Sequence, residues 1–558
     1  MRVLLSAALA AWLPLAAAAQ QPVGPPIPLL TPPSAPENPP ATSLPASPPP
    51  EPAEPGRTIT AEPLAPPGPG WSGDLSPPAG ALPSDLWRGT PRPLAETLLA
   101  LLPDTTSPAL QALVRRLLLS PGAAPAGTDP PGAETRLAGL RAAALLRLGE
   151  ADAVRKIIAA APDKQRSALQ PLLIEADAVE GRADAACDKV AAAIRQDQSV
   201  FWQRALVECQ VLRAETEKAT LGLQLLVEQE RAAKVEPEHA LAIAVAALAG
   251  HSAPPTVDKL DHADPLLICA LAAAKRRLAP ALVATLRADL ALTLARDEQA
   301  DPESRLLAAE RAAALGAMPP RQLRDLYTSA ASEVPAPGRG DSGLERARRF
   351  AAIGTADTAA ERLADITAFA DLFPAREDGG LLLAARLVAP ELHKISPNPG
   401  LANAAPAAAR LLIAAGEYDA AAAWLPLEPK EGAELRAALA LAKPGADKRE
   451  AETKRPTLLA LRLALGAAVA AEEWTHLPAA AWTAPGPPSP PLAPWLDLAD
   501  AAAAKRVAET ALAAVLVAAP QGTIAKDPAA LYAAVKALDR VGLAADARAF
   551  AVEAALVR

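Results

Sequence analysis

Apolar residues recur along most of the chain at intervals of three and four, the spacing of one helix face. Ser107-Pro108 sets an N-cap before a proline at the first helical position, and Leu110, Leu113, Val114, Leu117 and Leu118 follow at helical spacing. Asp301-Pro302-Glu303 opens a second helix of this kind, with Gly316 where it should stop. Thr358 with Glu361 reads as a capping box, and Asp527-Pro528 opens a helix that should close near Gly542. Roughly two dozen such segments, mostly ~10–18 residues long, begin near residue 91 and are joined by short links, which predict antiparallel neighbours. Runs of β-branched and aromatic residues, the mark of strands, are nearly absent. The expected fold is all-α.

Before residue 84 the pattern is different. Arg2 followed by the apolar run Val3–Leu15 and by Ala17-Ala18-Ala19 matches a signal peptide, residues 1–19, cleaved before Gln20. Residues 20–83 are rich in proline, as in Pro48-Pro49-Pro50 and Pro66-Pro67, and each proline removes a backbone donor and blocks helix. A disordered spacer, or a ligand for a proline-binding groove, is expected there. Further breaks divide the helical part into 84–332, 343–476 and 495–558, with a proline-rich linker at 477–494. Trp71 and Trp87 stand near the end of the spacer, and Trp474, Trp482 and Trp495 frame the linker. Trp71 and Trp87 either dock onto the folded body or bind a ligand, the other three either cover the end of the solenoid or line a groove, and all five are candidate partner-docking aromatics.

Helix pairs share a signature. Gly149 is followed by Val154, Ile158 and Ala161, and Gly181 by Ala186, Val190 and Ala193 at the same offsets. Gly542 gives Ala547, Ala551 and Ala554, while Gly416 gives Ala421 and Leu425 but then Glu428. At these residues the chain resembles tetratricopeptide-type (TPR-like) repeats. The spacing is irregular and the first-helix aromatic is mostly missing, so the resemblance implies a divergent, irregular helix–turn–helix solenoid. It implies a surface for binding proteins.

Composition narrows the function. Hydrophobic residues make up 51% and aromatics only 3%, so the core must be built from Ala, Leu and Val. The formal charge is −8, and no basic run exceeds clusters such as Lys275-Arg276-Arg277, which excludes a phosphate-binding stripe for nucleic acid. After the first segment no apolar run is long enough to span a membrane, so no integral membrane segment is expected in the mature protein.

Catalytic patterns do not assemble. Gly340-Asp341-Ser342-Gly343 resembles a protease nucleophile stretch but has no β-barrel to sit on. Gly68, Gly70 and Gly73 fit a dinucleotide fingerprint but lie among prolines without a strand or helix. His262 with Asp261, Asp264 and Cys269 is the one loose metal candidate, lacking the tight pairs of zinc sites. No cofactor, metal or catalytic residue is expected.

Cys187 and Cys209 lie equidistant from a turn near Gln198 on two apolar helix faces, at about 183–196 and 199–213. A disulfide and a pair of buried thiols are both open there, with Cys269 left over. The expected function is a periplasmic protein-binding scaffold, a helical-repeat component of a cell-envelope assembly such as a flagellar motor, pilus, secretion or cell-wall machine. The alternatives are a cell-wall-polymer-active enzyme with an acidic pair, and a passive structural or stress-protective Ala/Pro-rich protein.

Overall fold

A computed structural model describes residues 71, 73–127, 135–333, 342–373, 379–427, 432–443, 455–483 and 490–557. The expected signal peptide, most of the proline-rich segment, Gly68, Gly70 and Gly340-Asp341 lie outside the described residues. Among the described residues the protein is built from α-helices with short 3-10 turns, and the sole sheet pairs Thr256–Val257 in parallel with Arg277–Leu278. No helix among them is long and apolar enough to cross a membrane.

The helices begin and end where local chemistry sets them. Ser107 Oγ accepts from the Leu110 N–H at 3.3 Å to start helix Pro108–Leu119. Asp301 accepts from Glu303 and Ser304 to start Pro302–Ala314, and Asp527 accepts from Ala529 to start Pro528–Arg540. The Thr358–Glu361 capping box is complete. Gly149, Gly181, Gly316, Gly416 and Gly542 all take positive φ at helix ends. Gly149 is also pinned from outside: a Cβ there would lie 2.3 Å from the Ala317 carbonyl oxygen. Consecutive helices then pack in pairs, as Ala288–Arg296 does on Pro302–Ala314 and Val200–Leu212 on Thr216–Ala232.

The stack of pairs closes on itself. Helix Ala544–Val557 packs against Pro528–Arg540, Pro456–Ala464, Gly432–Ala442, Ala405–Ala414 and, near the other end of the folded body, Pro108–Leu119. Every residue from Phe550 to Val557 is buried. Arg92–Leu101 likewise packs on Val507–Ala518.

Hydrogen bonds fix this contact. The Ala508 N–H donates to the Leu86 carbonyl at 3.0 Å, and the Thr106 N–H to the Gly522 carbonyl at 2.8 Å. Arg116 pairs with Asp546 at 2.7 Å. Glu553 accepts from the Ser107 hydroxyl and, at 2.8 Å, from the Ala109 N–H. Gly522 lies so close that a Cβ would be 2.3 Å from the Asp104 carbonyl oxygen.

The expected helical segments share one core. One continuous buried cluster runs from Trp71 to Val557 and takes in residues of all three expected helical segments. Proline and glycine interrupt helices, but they do not interrupt side-chain packing across the breaks. The proline-rich spacer also ends before residue 83, because Trp71 and Leu82 are buried in the same core.

Buried carboxyls set the pH response. Burial pushes Glu553 up to about 7, against the pull of Ser107 and the Ala109 N–H. Burial, then Asp264 and Asp289, pushes Glu175 up to about 8. A raised carboxyl holds its proton more tightly in the folded chain than in the unfolded one. Its contribution to stability is therefore complete below the ordinary value of 4.5 and is lost as pH climbs through about 7 to 8. Asp177 has the opposite sign: against the cost of burial, Lys189 and Arg182 hold it below its ordinary value. Its contribution is lost only as pH falls through that lowered value. The urea midpoint is therefore expected to fall between pH 5 and pH 8.5. An equal or higher midpoint at pH 8.5 would contradict these assignments.

Candidate functional site

The five tryptophans part company. Trp71 and Trp87 are buried, edge to face with ring centroids 4.8 Å apart, and the Arg141 guanidinium lies 4.4 Å from the Trp71 ring. Of the two roles open to them, docking onto the folded body and docking a partner, their burial is that of the first: they anchor the start of the folded body. The cation over the indole and the T-shaped pair both favour burial. Trp495 is half-buried and packs on the core, so it too is not a free docking ring.

Trp474 and Trp482 remain exposed, at 38% and 62%, with centroids 6.3 Å apart. They sit on the short helices Ala471–Thr475 and Ala480–Thr483. Leu492 and Leu496, one turn apart at the start of helix Leu492–Ala503, are exposed as well. A second apolar pair, Leu221 and Leu225, stands out from helix Thr216–Ala232. That pair was readable as an i, i+4 leucine pair, but the same spacing marks every buried face of this chain.

The loose metal candidate is dispersed into structural roles. Asp264 caps helix Pro265–Ala273 by accepting from the Leu267 N–H at 3.0 Å. Asp261 pairs with Lys259, His262 Nε2 meets the Glu236 carbonyl oxygen at 3.0 Å, and burial pushes the Cys269 thiol far up. Among the described residues no group of three His, Cys, Asp or Glu is placed to hold a metal ion.

Two other acidic features were not singled out by the sequence. Glu208 is fully buried, and neither carboxyl oxygen has a hydrogen-bond partner. Burial, and then Asp264, raises it well above its ordinary value. Asp497 faces Glu509 across helices Leu492–Ala503 and Val507–Ala518. Burial, then Glu509, pushes Asp497 up to about 6. Arg506 reaches Glu509 at 2.8 Å. Asp497 Oδ2 and Glu509 Oε2 are both buried without a hydrogen-bond partner.

The described body also holds a cleft of about 470 Å³. Its walls carry Pro280, Val283, Leu307, Leu383 and Phe373, with Thr106 and Thr523 from the closing contact at one side. Its floor is a buried ionic group. Glu310 takes both hydrogen bonds of Arg346, at 2.8 and 2.6 Å, and the Tyr327 hydroxyl at 2.7 Å. Arg311 lies beside it, donating Nε–H to the Leu286 carbonyl at 3.0 Å. These residues come from distant stretches of sequence, so no local motif announces them.

Cys187, on helix Ala183–Ala193, and Cys209, on Val200–Leu212, are joined in a disulfide with Cα atoms 5.5 Å apart. They share a small apolar cluster with Ile174, Val190, Trp202, Leu266 and the free, buried Cys269. The bond closes a loop spanning 22 positions. Chain-entropy loss in the unfolded state gives such a link about 3 kcal/mol. Replacing both by Ala is expected to cost about that much in denaturant unfolding, with Cys269 remaining the free thiol in non-reducing peptide maps. Unchanged stability would contradict this. Comparison of the chain with protein-family models, with curated proteins and with solved structures finds no match.

Proposed function

We propose that the chain is a protein-binding scaffold of the bacterial periplasm, a helical-repeat component of a cell-envelope assembly. The observation that carries this reading is the exposed pair Trp474 and Trp482, 6.3 Å apart on the surface of an otherwise aromatic-poor protein. Aromatic side chains left in water at one place offer large, rigid contact area, which is what interface anchors supply. Leu492 and Leu496 add further exposed apolar area. The paired helices, and the TPR-like glycine signature in the sequence, fit a body whose surfaces rather than its chemistry are used. Export is supported by the charged-then-apolar N-terminal pattern and by the Cys187–Cys209 bond, which persists in oxidising compartments.

A second reading, an enzyme acting on cell-wall polymer, is favoured by one observation, the Asp497 carboxyl pushed up by burial and by neighbouring Glu509. Against it, Asp497 Oδ2 and Glu509 Oε2 are both buried.

The two readings separate in cells. A photo-crosslinking residue at position 482 is expected to capture one defined envelope protein. Trp474→Ala with Trp482→Ala is expected to reduce co-isolation of that protein about tenfold, equivalent to ~1.4 kcal/mol, while leaving the melting temperature unchanged. If the double variant functions normally, while Asp497→Asn abolishes function without loss of stability, the scaffold reading fails and the enzyme reading replaces it.

A further inference from the structure

We infer that helix Thr216–Ala232 is a self-association surface, and that its partner is a second copy of this chain, bound antiparallel about a two-fold axis at Leu223. The helix packs on Val200–Leu212 and His239–Leu248. Its inward face carries Ala219, Leu226 and Glu230, all buried, with Glu230 paired to Arg204. The opposite face is open. On it Lys218, Leu221, Leu225, Glu228 and Ala232 are all exposed, and they alternate at three and four residues, the spacing of a coiled-coil seam. Leu221 and Leu225, at the centre of that seam, keep 59% and 52% of their surface in water. A second helix laid along the seam would bury both.

The order of charges names the partner. Lys218 and Glu228 are equidistant from Leu223, and so are Glu215 and Arg231. A two-fold axis there sets Leu221 against Leu225 of the second copy, Lys218 against its Glu228, and Glu215 against its Arg231, with every contact made twice. A parallel pairing would set lysine on lysine and glutamate on glutamate. Glu228 and Arg231 make no ion pair among the described residues of their own chain. Lys218 meets Glu215 at 3.1 Å in an exposed pair, which contributes little and exchanges readily. Lys218 also stands in the first turn of its own helix, where the helix dipole opposes a cation. The seam is short: a helix of 17 residues is about 26 Å long. One such pair covers less than the ~1,200 Å² of a standard interface, so the dimer forms at micromolar concentrations. The inference goes beyond the scaffold reading and does not rest on it, because Trp474 and Trp482 lie on other helices.

The test follows the mass of the full chain by sedimentation equilibrium between about 1 and about 200 µM. A reversible monomer–dimer equilibrium is expected within that range. Lys218→Glu and Glu228→Lys are each expected to weaken the dimer about tenfold or more, since each sets like charges together at two places. Mixing the two variants is expected to restore association, because every reversed charge then meets its opposite. Carrying both substitutions on one chain is expected to restore it as well. Leu221→Ser with Leu225→Ser is expected to leave only monomer. All four positions are exposed, and thermal melts establish that each variant is folded. The inference is overturned if the natural chain stays monomeric at about 200 µM, or if folded single charge reversals dimerise like the natural chain. It is also overturned if mixing restores nothing, or if Trp474→Ala with Trp482→Ala abolishes the dimer, since the self-contact would then lie at the tryptophans.

Discussion

Glu553 reaches across 444 positions of sequence to the N-terminus of helix Pro108–Leu119, where its carboxyl takes the Ala109 N–H and the Ser107 hydroxyl. Ser107 is itself the N-cap of that helix, so one buried group completes the cap of another. Helix N-termini carry unsatisfied N–H groups and partial positive charge, and a carboxyl answers both. Here the answer comes from the last helix of the chain. Neighbouring bonds, Thr106 to Gly522 and Arg116 to Asp546, join the same stretches. Removing the Glu553 side chain would leave two buried donors without an acceptor and a void beside them.

Alanine makes this closure possible. Helix Ala544–Val557 touches five others, and at its most crowded positions it carries Ala547, Ala551, Ala554 and Ala555. Small side chains let backbones approach on every side without loss of rotamer freedom. Few contacts in such a core are large, so the polar bonds at the closing contact carry specificity that aromatic packing would supply elsewhere. The exposed Trp474–Trp482 pair and the cleft beside Thr106 and Thr523 lie outside this closing contact's packed core.

Much of the helical framework was legible because it is local. Caps at Ser107, Asp301, Thr358 and Asp527 and turns at Gly149, Gly181 and Gly542 are decided within four or five residues. The positions of Cys187 and Cys209 follow from a tight turn between neighbouring helices, which is nearly as local. The closing contact was not legible, because an alanine-leucine helix looks alike whether it faces its neighbour or the far end of the chain. A trace exists in retrospect: Glu553 stands alone among apolar residues from Phe550 to Val557. A solitary acid in an otherwise apolar helix asks for a buried partner. For Trp71 and Trp87 the sequence left docking onto the body and docking a partner both open, because Arg141, the cation over the Trp71 ring, lies on a later helix. The cleft was invisible because Thr106, Glu310, Arg346 and Leu383 are far apart in sequence and meet only in the folded chain.

The most direct test replaces Glu553 with Ala and follows hydrogen exchange in Pro108–Leu119 and Ala544–Val557 together. If this carboxyl ties the ends into one cooperative unit, both helices lose protection by the same amount, about 2–4 kcal/mol, and unfold in a single transition. Protection that stays at the natural level in both helices, or that falls in Ala544–Val557 alone, would contradict the account.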